Sequence, residues 1–397
     1  MTIIAFWAAL SAAAVDELRP SALEVMSWNE TVPPSERGDS VFSPVGFGVT
    51  VAMLGEGMGG SARAEMAESL GLLSDFSLAF ANVLKSYAAA NVSNRVAISI
   101  ASSLWTKRRR ALDPEYVRSL QNSFDAEAGF LKDVLSVNAW TEAKTDGRIL
   151  GVMPELPHHA ETIVVNAVAF EGAWKTPFED ENGANATFSR ADGTKSSIRF
   201  MNTTCPMVRI DGERYSAAKI DFSARGVSFV VVMPAEGVDL AAIREKDFAN
   251  GGIDDFKALL RARSGEGVTY ARARFSIPAF SIRSNWRLDN ALRKAKVPKG
   301  GFDRMGPEPF SIDEVHQAVY FRISGRGYSL TPGMEPDPVQ PLRGSRRGEL
   351  GQLSPGAGDE ELGRKTGAPF VCNRPFLFFV WDGTSDTIVI AGQFSGR

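Results

Sequence analysis

The spacing of hydrophobic and polar positions makes the first third of the chain mainly helical. Helix-like periodicity recurs at residues 21–30, 47–59, 61–72, 113–124 and 137–153. Ser43 followed by Pro44 predicts a capping residue and a first helical residue for the second of these segments. Asp113 caps the fourth segment in the same way, and Gly147 interrupts the last one.

A different pattern, alternating or continuously apolar, first occurs at residues 96–106 and dominates after residue 153. It predicts strands at residues 96–106, 161–170, 214–222, 227–234, 272–280, 314–324 and 375–394. The last of these is a hairpin with Asp382 and Gly383 at its turn. The pattern therefore predicts a mixed α+β protein whose final strands come from the C-terminal end of the chain.

Length and composition indicate a globular protein with a large core. Of the 397 residues, 44% are hydrophobic and 23% are charged, which suits one big domain or two closely packed ones. The 47 acidic and 44 basic side chains leave a net charge of −3. This balance predicts neither a nucleic-acid-binding protein nor a polybasic membrane-surface protein.

The first fourteen residues, MTIIAFWAALSAAA, are typical of a short secretory signal, with an apolar run followed by small residues. No basic residue precedes the run, so an apolar first helix turn is the alternative. Four N-x-[ST] sequons suit a secreted glycoprotein, at Asn29, Asn91, Asn185 and Asn202. No other segment approaches the roughly 20 apolar residues of a membrane helix. We therefore expect a secreted, extracellular protein that is soluble.

Residues suited to redox or metal chemistry are scarce. The two cysteines, Cys205 and Cys372, can form one bridge in an oxidising compartment or lie apart as buried thiols. The three histidines have no ligand-like spacing, and neither C-x-x-C nor H-E-x-x-H occurs. The sequence predicts no metal site and no cofactor.

Six blocks of sequence resemble, in order, those of the serpin (serine protease inhibitor) family. The first, VFSPVGFGVTVAMLGEGMGGSARAEMAESLGL, resembles the family's opening, in which a strand runs into a helix through Ser-Pro. VNAWTEAKTDGRI resembles the helix across the large sheet, and VVNAVAFEGAWKTPFE resembles the most recognisable block. FVVVMPAEG, FSIPAFSIRSNWRLDNALRKAKV and NRPFLFFVWD follow in the family's order. The match runs from about residue 20 to the end.

The resemblance implies one domain over residues 15–397 with an exposed reactive loop at about residues 325–372. It implies three β-sheets and about nine helices. In an inhibitory serpin, a protease cleaves the loop and becomes acylated. The freed loop then inserts as a new central strand of the large sheet and carries the protease with it, distorting the enzyme. The serpin itself is no enzyme, because it supplies only a bait, a hinge and a sheet that can open.

The resemblance also assigns residues that hold the large sheet closed. Ser43 and Asn166 match the polar cluster beneath the helix that crosses the sheet. His316 matches the family's histidine in that cluster, whereas counting back from the hinge selects Gln317. Gly46 stands where a serine is usual, which removes one hydroxyl from the network.

The hinge, the part of the loop that enters the sheet first, departs most from the family. Inhibitory serpins resemble one another there, with small residues and a run of alanines. The corresponding residues here are Gly325, Arg326, Gly327, Tyr328, Leu330 and Pro332. Tyr328 would overpack the sheet interior, and Pro332 has no N–H for a central strand, at a cost of roughly 3 kcal/mol or more. Trp174 matches the tryptophan where the hinge enters, a role that a plain core aromatic can also fill.

The loop is also long and rich in glycine, proline and charge. From Gly327 to Pro375 it is roughly twice as long as in familiar inhibitory serpins. Counting back from NRPF puts the scissile bond at Arg364–Lys365, whereas counting forward from Gly327 gives Pro341, a poor substrate residue. We favour the backward count, because the fold fixes the strand after the bond. Arg364 would then select trypsin-like proteases, although basic residues that merely solvate a loop are the alternative.

Two short motifs suggest other classes of function. SAAK at residues 216–219, with KTG at 365–367, resembles a serine acyl-transferase of the β-lactamase type. The acyl-transferase chemistry would need this serine at a helix N-terminus, whereas the pattern of residues 214–222 predicts a strand. KRRR at residues 107–110 would suit a glycosaminoglycan, but the segment that matches the heparin-binding helix of responsive serpins carries only Lys85. Heparin activation at that helix is not expected.

The sequence therefore predicts a monomeric, secreted serpin that presents an arginine-bearing loop to extracellular trypsin-like serine proteases. Its degenerate hinge puts trapping by loop insertion in doubt. A serpin without a protease target, acting as a carrier, a scaffold or the source of a released peptide, is the alternative. Neither nucleic acid nor membrane is an expected partner.

Overall fold

The computed structural model describes most of the chain. The described residues are 38–70, 76–91, 96–108, 111–178, 184–243, 259–260, 269–294, 297–298, 300–308, 310–325, 367–385 and 387–396. Two predicted features lie outside them, the signal at residues 1–14 and the first helix at residues 21–30, as does most of the predicted reactive loop, at residues 326–366.

The described residues form seven helices and fourteen strands. The helices are α1 (Pro44–Glu56), α2 (Gly60–Leu70), α3 (Phe76–Asn91), α4 (Pro114–Phe124), α5 (Val134–Lys144), α6 (Leu240–Ala242) and α7 (Asp289–Lys294). The strands are β1 (Ser40–Phe42), β2 (Val96–Thr106), β3 (Glu127–Phe130), β4 (Thr162–Gly172), β5 (Ala184–Ser189), β6 (Lys195–Asp211), β7 (Tyr215–Asp221), β8 (Val227–Pro234), β9 (Thr269–Pro278), β10 (Phe280–Arg287), β11 (Glu314–Ile323), β12 (Phe370–Val371), β13 (Phe376–Asp382) and β14 (Thr387–Phe394). The described part of the chain thus has fewer helices than the nine or so expected.

The two predicted helix caps are confirmed, whereas the helix predicted over residues 137–153 ends at Lys144. Ser43 caps α1, because its Oγ accepts a hydrogen bond from the Gly46 N–H at 3.1 Å. Asp113 caps α4 by accepting the Glu115 N–H at 2.6 Å. Beyond the end of α5, Gly147 has a φ of 74°, a conformation that glycine adopts without a steric penalty.

One sheet has five strands in the order β10-β11-β4-β2-β3. Its central strands β4 and β11 are parallel, with antiparallel β2 and β10 outside them. One face, called the front face here, carries α5, whose Val137 and Trp140 pack in a cluster with Val165 and Ala167. The opposite back face packs into the main core. Because both faces are covered, β4 is buried along its whole length, as expected of a parallel central strand.

The other nine strands form one sheet, which corrects the expected total of three sheets to two in the described structure. Their order is β1-β14-β13-β8-β7-β6-β9-β12, with β5 on β6. The 17-residue strand β6 pairs with β5 at its start, β9 along its middle and β7 at its end. A single continuous strand therefore joins what the family resemblance separates into two smaller sheets.

Aromatic rings fix the back face of the five-stranded sheet against the nine-stranded one. Phe321 of β11 stacks on Phe378 of β13 at 4.7 Å between ring centroids. Phe280 of β10 stacks on Phe394 of β14 at 4.6 Å. These large buried surfaces hold β10 and β11 against the nine-stranded sheet.

Candidate functional site

The candidate site is the seam, defined here as the contact between β4 and β11. The two strands pair in nine consecutive positions, from Ile163 opposite Glu314 to Glu171 opposite Arg322. A new central strand would have to separate them over this length and replace their hydrogen bonds. The structure shows the seam closed from end to end.

A chain of buried side-chain hydrogen bonds crosses the back face of the seam. Gln317 of β11 reaches the start of α1, where its Oε1 accepts the Ser43 N–H and its Nε2 donates to the Ser43 carbonyl, both at 3.0 Å. The same Nε2 lies 3.0 Å from Oδ1 of Asn166 on β4. Asn166 Nδ2 then donates to Ser102 Oγ of β2 at 3.0 Å. This network, called the back-face cluster here, links α1 with three adjacent strands.

His316 does not belong to the back-face cluster, which corrects its assignment from the family resemblance. Successive side chains of a strand point to opposite faces, so His316 and Gln317 are on different sides of the sheet. His316 Nε2 instead lies 2.7 Å from Glu314 Oε2, and the other oxygen of Glu314 lies 2.7 Å from Arg287. The count back from the hinge, which selects Gln317, agrees with the geometry.

Gly46 lies directly against the back-face cluster. A Cβ added at Gly46 would lie 2.2 Å from Asn166 Oδ1 and 3.0 Å from Gln317 Nε2. The first distance is too short for any side chain in this arrangement. The missing serine hydroxyl therefore leaves no gap, because Asn166 and Gln317 fill the space and bond to each other.

A second polar group crosses the front face of the seam near its upper end. The Tyr320 hydroxyl of β11 donates to Glu171 Oε1 of β4 at 3.3 Å. Arg148, which follows α5, lies with its Nε 3.5 Å from the same oxygen, and all three side chains are buried. Burial raises the pKa of Tyr320, and the Glu171 charge raises it further. Sequence reasoning missed this group, although a glutamate at the end of an apolar strand was a signal.

Trp174 lies at the top of the seam and contacts the end of β11. Its indole Nε1 donates to the Ser324 carbonyl at 3.0 Å, one residue before the predicted hinge begins at Gly325. The ring stacks on Phe222 at 4.6 Å and meets Phe178 edge to face. Trp174 is therefore both a core aromatic and a direct contact of the chain that leads into the loop.

The predicted hinge and scissile bond fall almost wholly outside the described residues. Gly325 is buried in a turn after β11. The other hinge residues, Arg326, Gly327, Tyr328, Leu330 and Pro332, lie outside the described residues, as do Arg364 and Lys365. The chain resumes at Gly367, whose N–H donates to the Arg272 carbonyl of β9 at 3.1 Å.

The four sequons differ in their surroundings. Asn29 lies outside the described residues, and Asn91 is the last residue of α3 with an undescribed side chain. Asn185 is exposed on β5. Asn202 is half-buried on β6, and its Oδ1 accepts a hydrogen bond from Ser276 Oγ at 2.6 Å. Glycosylation at these four positions stays a prediction.

The two cysteines are free, buried thiols. Burial raises the pKa of Cys205 to about 12, and burial also raises that of Cys372. Both thiols are therefore protonated at neutral pH and poorly nucleophilic. Of the two options that the sequence left open, the structure has the separate thiols.

The motifs for other functions do not form sites in the described structure. Ser216 lies in β7 rather than at a helix N-terminus, and Lys219 donates to the Leu260 carbonyl. In KRRR, Arg108 pairs with Glu308 at 2.6 Å, while residues 109–110 are outside the described ranges. Across the described chain, no three His, Cys, Asp or Glu side chains gather as a metal ion would require. None of the described helices has the length and apolar character to cross a membrane.

Comparisons with known proteins agree on one family. The family model described as "Serpin (serine protease inhibitor)" matches residues 28–396. Iripin-3 of Ixodes ricinus is 25% identical over 383 residues, which cover 91% of this chain and 90% of that protein.

Solved structures show the same fold. Native protease nexin-1, crystallised with heparin, has a TM-score of 0.74 at 18% identity and covers 96% of this chain and 100% of its own. Human thyroxine-binding globulin complexed with its ligand has a TM-score of 0.74 at 15% identity and covers 98% and 96%. The family model covers almost the whole chain, and the structure has the β4–β11 seam with helix α5 on the front face of that sheet. This chain therefore belongs to the serpin family.

Proposed function

We propose that this serpin presents the chain between β11 and β12 as an arginine-bearing bait for extracellular trypsin-like serine proteases. The observation that carries the proposal is the closed seam, with the loop leaving from the end of one of its two strands. Trp174 holds that end by its bond to Ser324. Entry of the loop would begin at this point and would proceed by separating β4 from β11.

The bait bond we propose is Arg364–Lys365. The segment before it carries further arginines at which a trypsin-like protease can cut, namely Arg343, Arg346 and Arg347. The count runs back from NRPF, and the strand before that motif begins at Phe370, which pairs with Phe275 of β9. Arg364 precedes it by six positions, so the bond lies close to a part of the chain that the fold holds.

Trapping of the protease is the step that this chain performs poorly. Insertion requires a hinge of small residues that can enter a sheet whose interior is packed like a crystal. Tyr328 and Pro332 oppose it, the first by size and the second by its missing N–H. The expected outcome of an encounter is cleavage of the loop followed by release of an active protease.

Secretion is part of the proposal. It rests on the signal-like residues 1–14 and on the four sequons, of which Asn185 is exposed. Expression in a secretory eukaryotic host should yield a protein that begins after residue 14 and carries sugar on at least one sequon. Mass spectrometry that finds Met1 and only unmodified asparagines would contradict this.

Incubation with trypsin-like proteases tests the bait. On a denaturing gel we expect two fragments from a cut at Arg364–Lys365, with little or no covalent complex. Arg364→Ala should slow cleavage at this bond by at least about a hundredfold, because the protease pocket binds a basic side chain. Arg346→Ala is the matched control and should change little. A dominant cut at Arg346 or Arg347 would overturn the choice of bond, and a stable complex would overturn the doubt about trapping.

A serpin without a protease target is the second candidate. The observation in its favour is the same hinge, since a protein that never inserts its loop has no need for small residues there. Thyroxine-binding globulin, which shares the fold, was crystallised with thyroxine, so the fold is compatible with a carrier role. Resistance of the uncut loop to a panel of extracellular trypsin-like proteases would favour this candidate.

A further inference from the structure

Arg209, in the C-terminal half of β6, is an arginine buried in the nine-stranded sheet with only 8% of its surface exposed. Arginine is rarely buried to this degree unless its charge is paired. Two arginines on the adjacent strand β9, Arg272 and Arg274, are by contrast exposed. The burial of Arg209 therefore implies that specific groups bind its guanidinium.

Two of its partners belong to the chain that leads out of the loop. One terminal nitrogen of Arg209 donates to the Ala368 carbonyl at 2.5 Å, and the guanidinium carbon lies 5.6 Å from the centre of the Phe370 ring. Phe370 in turn stacks on Phe275 of β9 at 5.9 Å. The other terminal nitrogen donates to Asp211 at 2.5 Å, which pairs the charge and orients the planar group.

The Arg209 contact supplements the backbone hydrogen bonds of this segment, which include one from the Cys372 N–H to the Ser276 carbonyl at 2.9 Å. The strand β12 has only two residues, Phe370 and Val371, and pairs with β9 alone. Before it, the backbone is held by the Gly367 N–H on the Arg272 carbonyl. A two-residue edge strand is weak by itself, whereas a charge-assisted hydrogen bond is about twice as strong as a neutral one.

We infer that Arg209 is the anchor that fixes the C-terminal base of the reactive loop, and so positions the bait bond. The inference rests on the proposed function for its kinetic consequence. The Arg364–Lys365 bond lies only a few residues before Gly367 in the sequence, so the order of this base is the property through which Arg209 acts on the bait. It is a positioning residue, since it touches neither the bond nor the protease.

The first test measures the anchor without any protease. Hydrogen exchange of the amides at residues 367–372 should be faster in Arg209→Gln than in the unmodified protein, by about tenfold or more. Arg209→Lys keeps the charge but has a shorter side chain and one nitrogen in place of the two that bond Ala368 and Asp211, so its exchange rates should lie between the two. Arg272→Ala, an exposed side chain beside the same segment whose backbone bond to Gly367 is kept, is the matched control and should match the unmodified protein.

The second test measures positioning through cleavage kinetics at Arg364–Lys365. A loose base must be ordered when the protease binds, so KM should rise about threefold to tenfold in Arg209→Gln while kcat stays within about twofold. Faster amide exchange in Arg209→Gln, with no cleavage at Arg364–Lys365 in any variant, would support Arg209 as the anchor and contradict the proposed bait bond. If both Arg209 variants are still cut at Arg364–Lys365 and show unchanged amide exchange and unchanged KM, the anchor role of Arg209 is contradicted and the bait bond is supported. If Arg209→Gln fails to fold, Arg209→Lys decides by the same two measurements.

Discussion

At the scale of single residues, the seam depends on which face of β11 each polar side chain occupies. The family resemblance left two adjacent candidates for the polar cluster, His316 and Gln317, and only the geometry of the structure decides between them. A shift of one residue in a strand moves a side chain to the opposite face. Gln317 therefore contacts Ser43 and Asn166, while His316 pairs with Glu314. Ser43 and Asn166 could be picked from the sequence because they stand in recognisable blocks.

Replacement of Gln317 should be costly. Gln317→Leu leaves the Ser43 N–H and Asn166 Oδ1 buried without this partner, and each unsatisfied group costs about 1–3 kcal/mol, whereas the Ser43 carbonyl still accepts the Phe47 N–H. We expect the free energy of unfolding to fall by about 2–4 kcal/mol in urea titrations. His316→Gln, the adjacent residue, can still donate to Glu314 and should lose about 1 kcal/mol or less. Equal losses in the two variants would contradict a special role for the back-face cluster.

At the scale of elements, strands with a clear pattern were predictable and strands shaped by their partners were not. The bounds of β2 and β8 follow from alternating and continuously apolar runs. The long strand β6 was missed, since it contains Pro206, a residue that argues against a central strand. Pro206 is tolerated because β7 pairs with β6 only from Val208 onward, so no hydrogen-bond partner faces the missing N–H on that side.

The ion pair between Arg148, which follows α5, and Glu171 of the seam should contribute strongly to the free energy of unfolding. Glu171→Gln would remove the buried carboxylate beside Arg148 but leave Asp146 at 3.3 Å, so we expect a loss of about 2–3 kcal/mol, below the roughly 3–5 kcal/mol of a buried charge left with no partner. Tyr320→Phe removes one neutral-to-charged hydrogen bond and should cost only about 1–2 kcal/mol. Urea unfolding of both variants measures the difference. A Glu171→Gln variant as stable as the unmodified protein would show that Arg148 does not depend on this pair.

At the scale of the whole molecule, we expect this serpin to keep its seam closed after its loop is cut. The fold was predictable from ordered blocks of sequence, because these encode the buried strands and helix caps that all members share. The behaviour of the loop was not predictable to the same degree, since it depends on the balance between strand insertion and the nine paired positions of the seam. We expect Tyr328 and Pro332 to shift that balance against insertion.

The most direct test is a pair of melting curves, recorded before and after a single cut in the reactive loop. An inserting serpin gains a large increase in melting temperature on cleavage, because its loop becomes a hydrogen-bonded central strand. Here we predict that the cut protein melts within a few degrees of the uncut one, and that Tyr328→Thr with Leu330→Ala and Pro332→Ala recovers part of the increase. A large upward shift in the unmodified protein would show that the loop inserts despite its hinge, and would contradict the account.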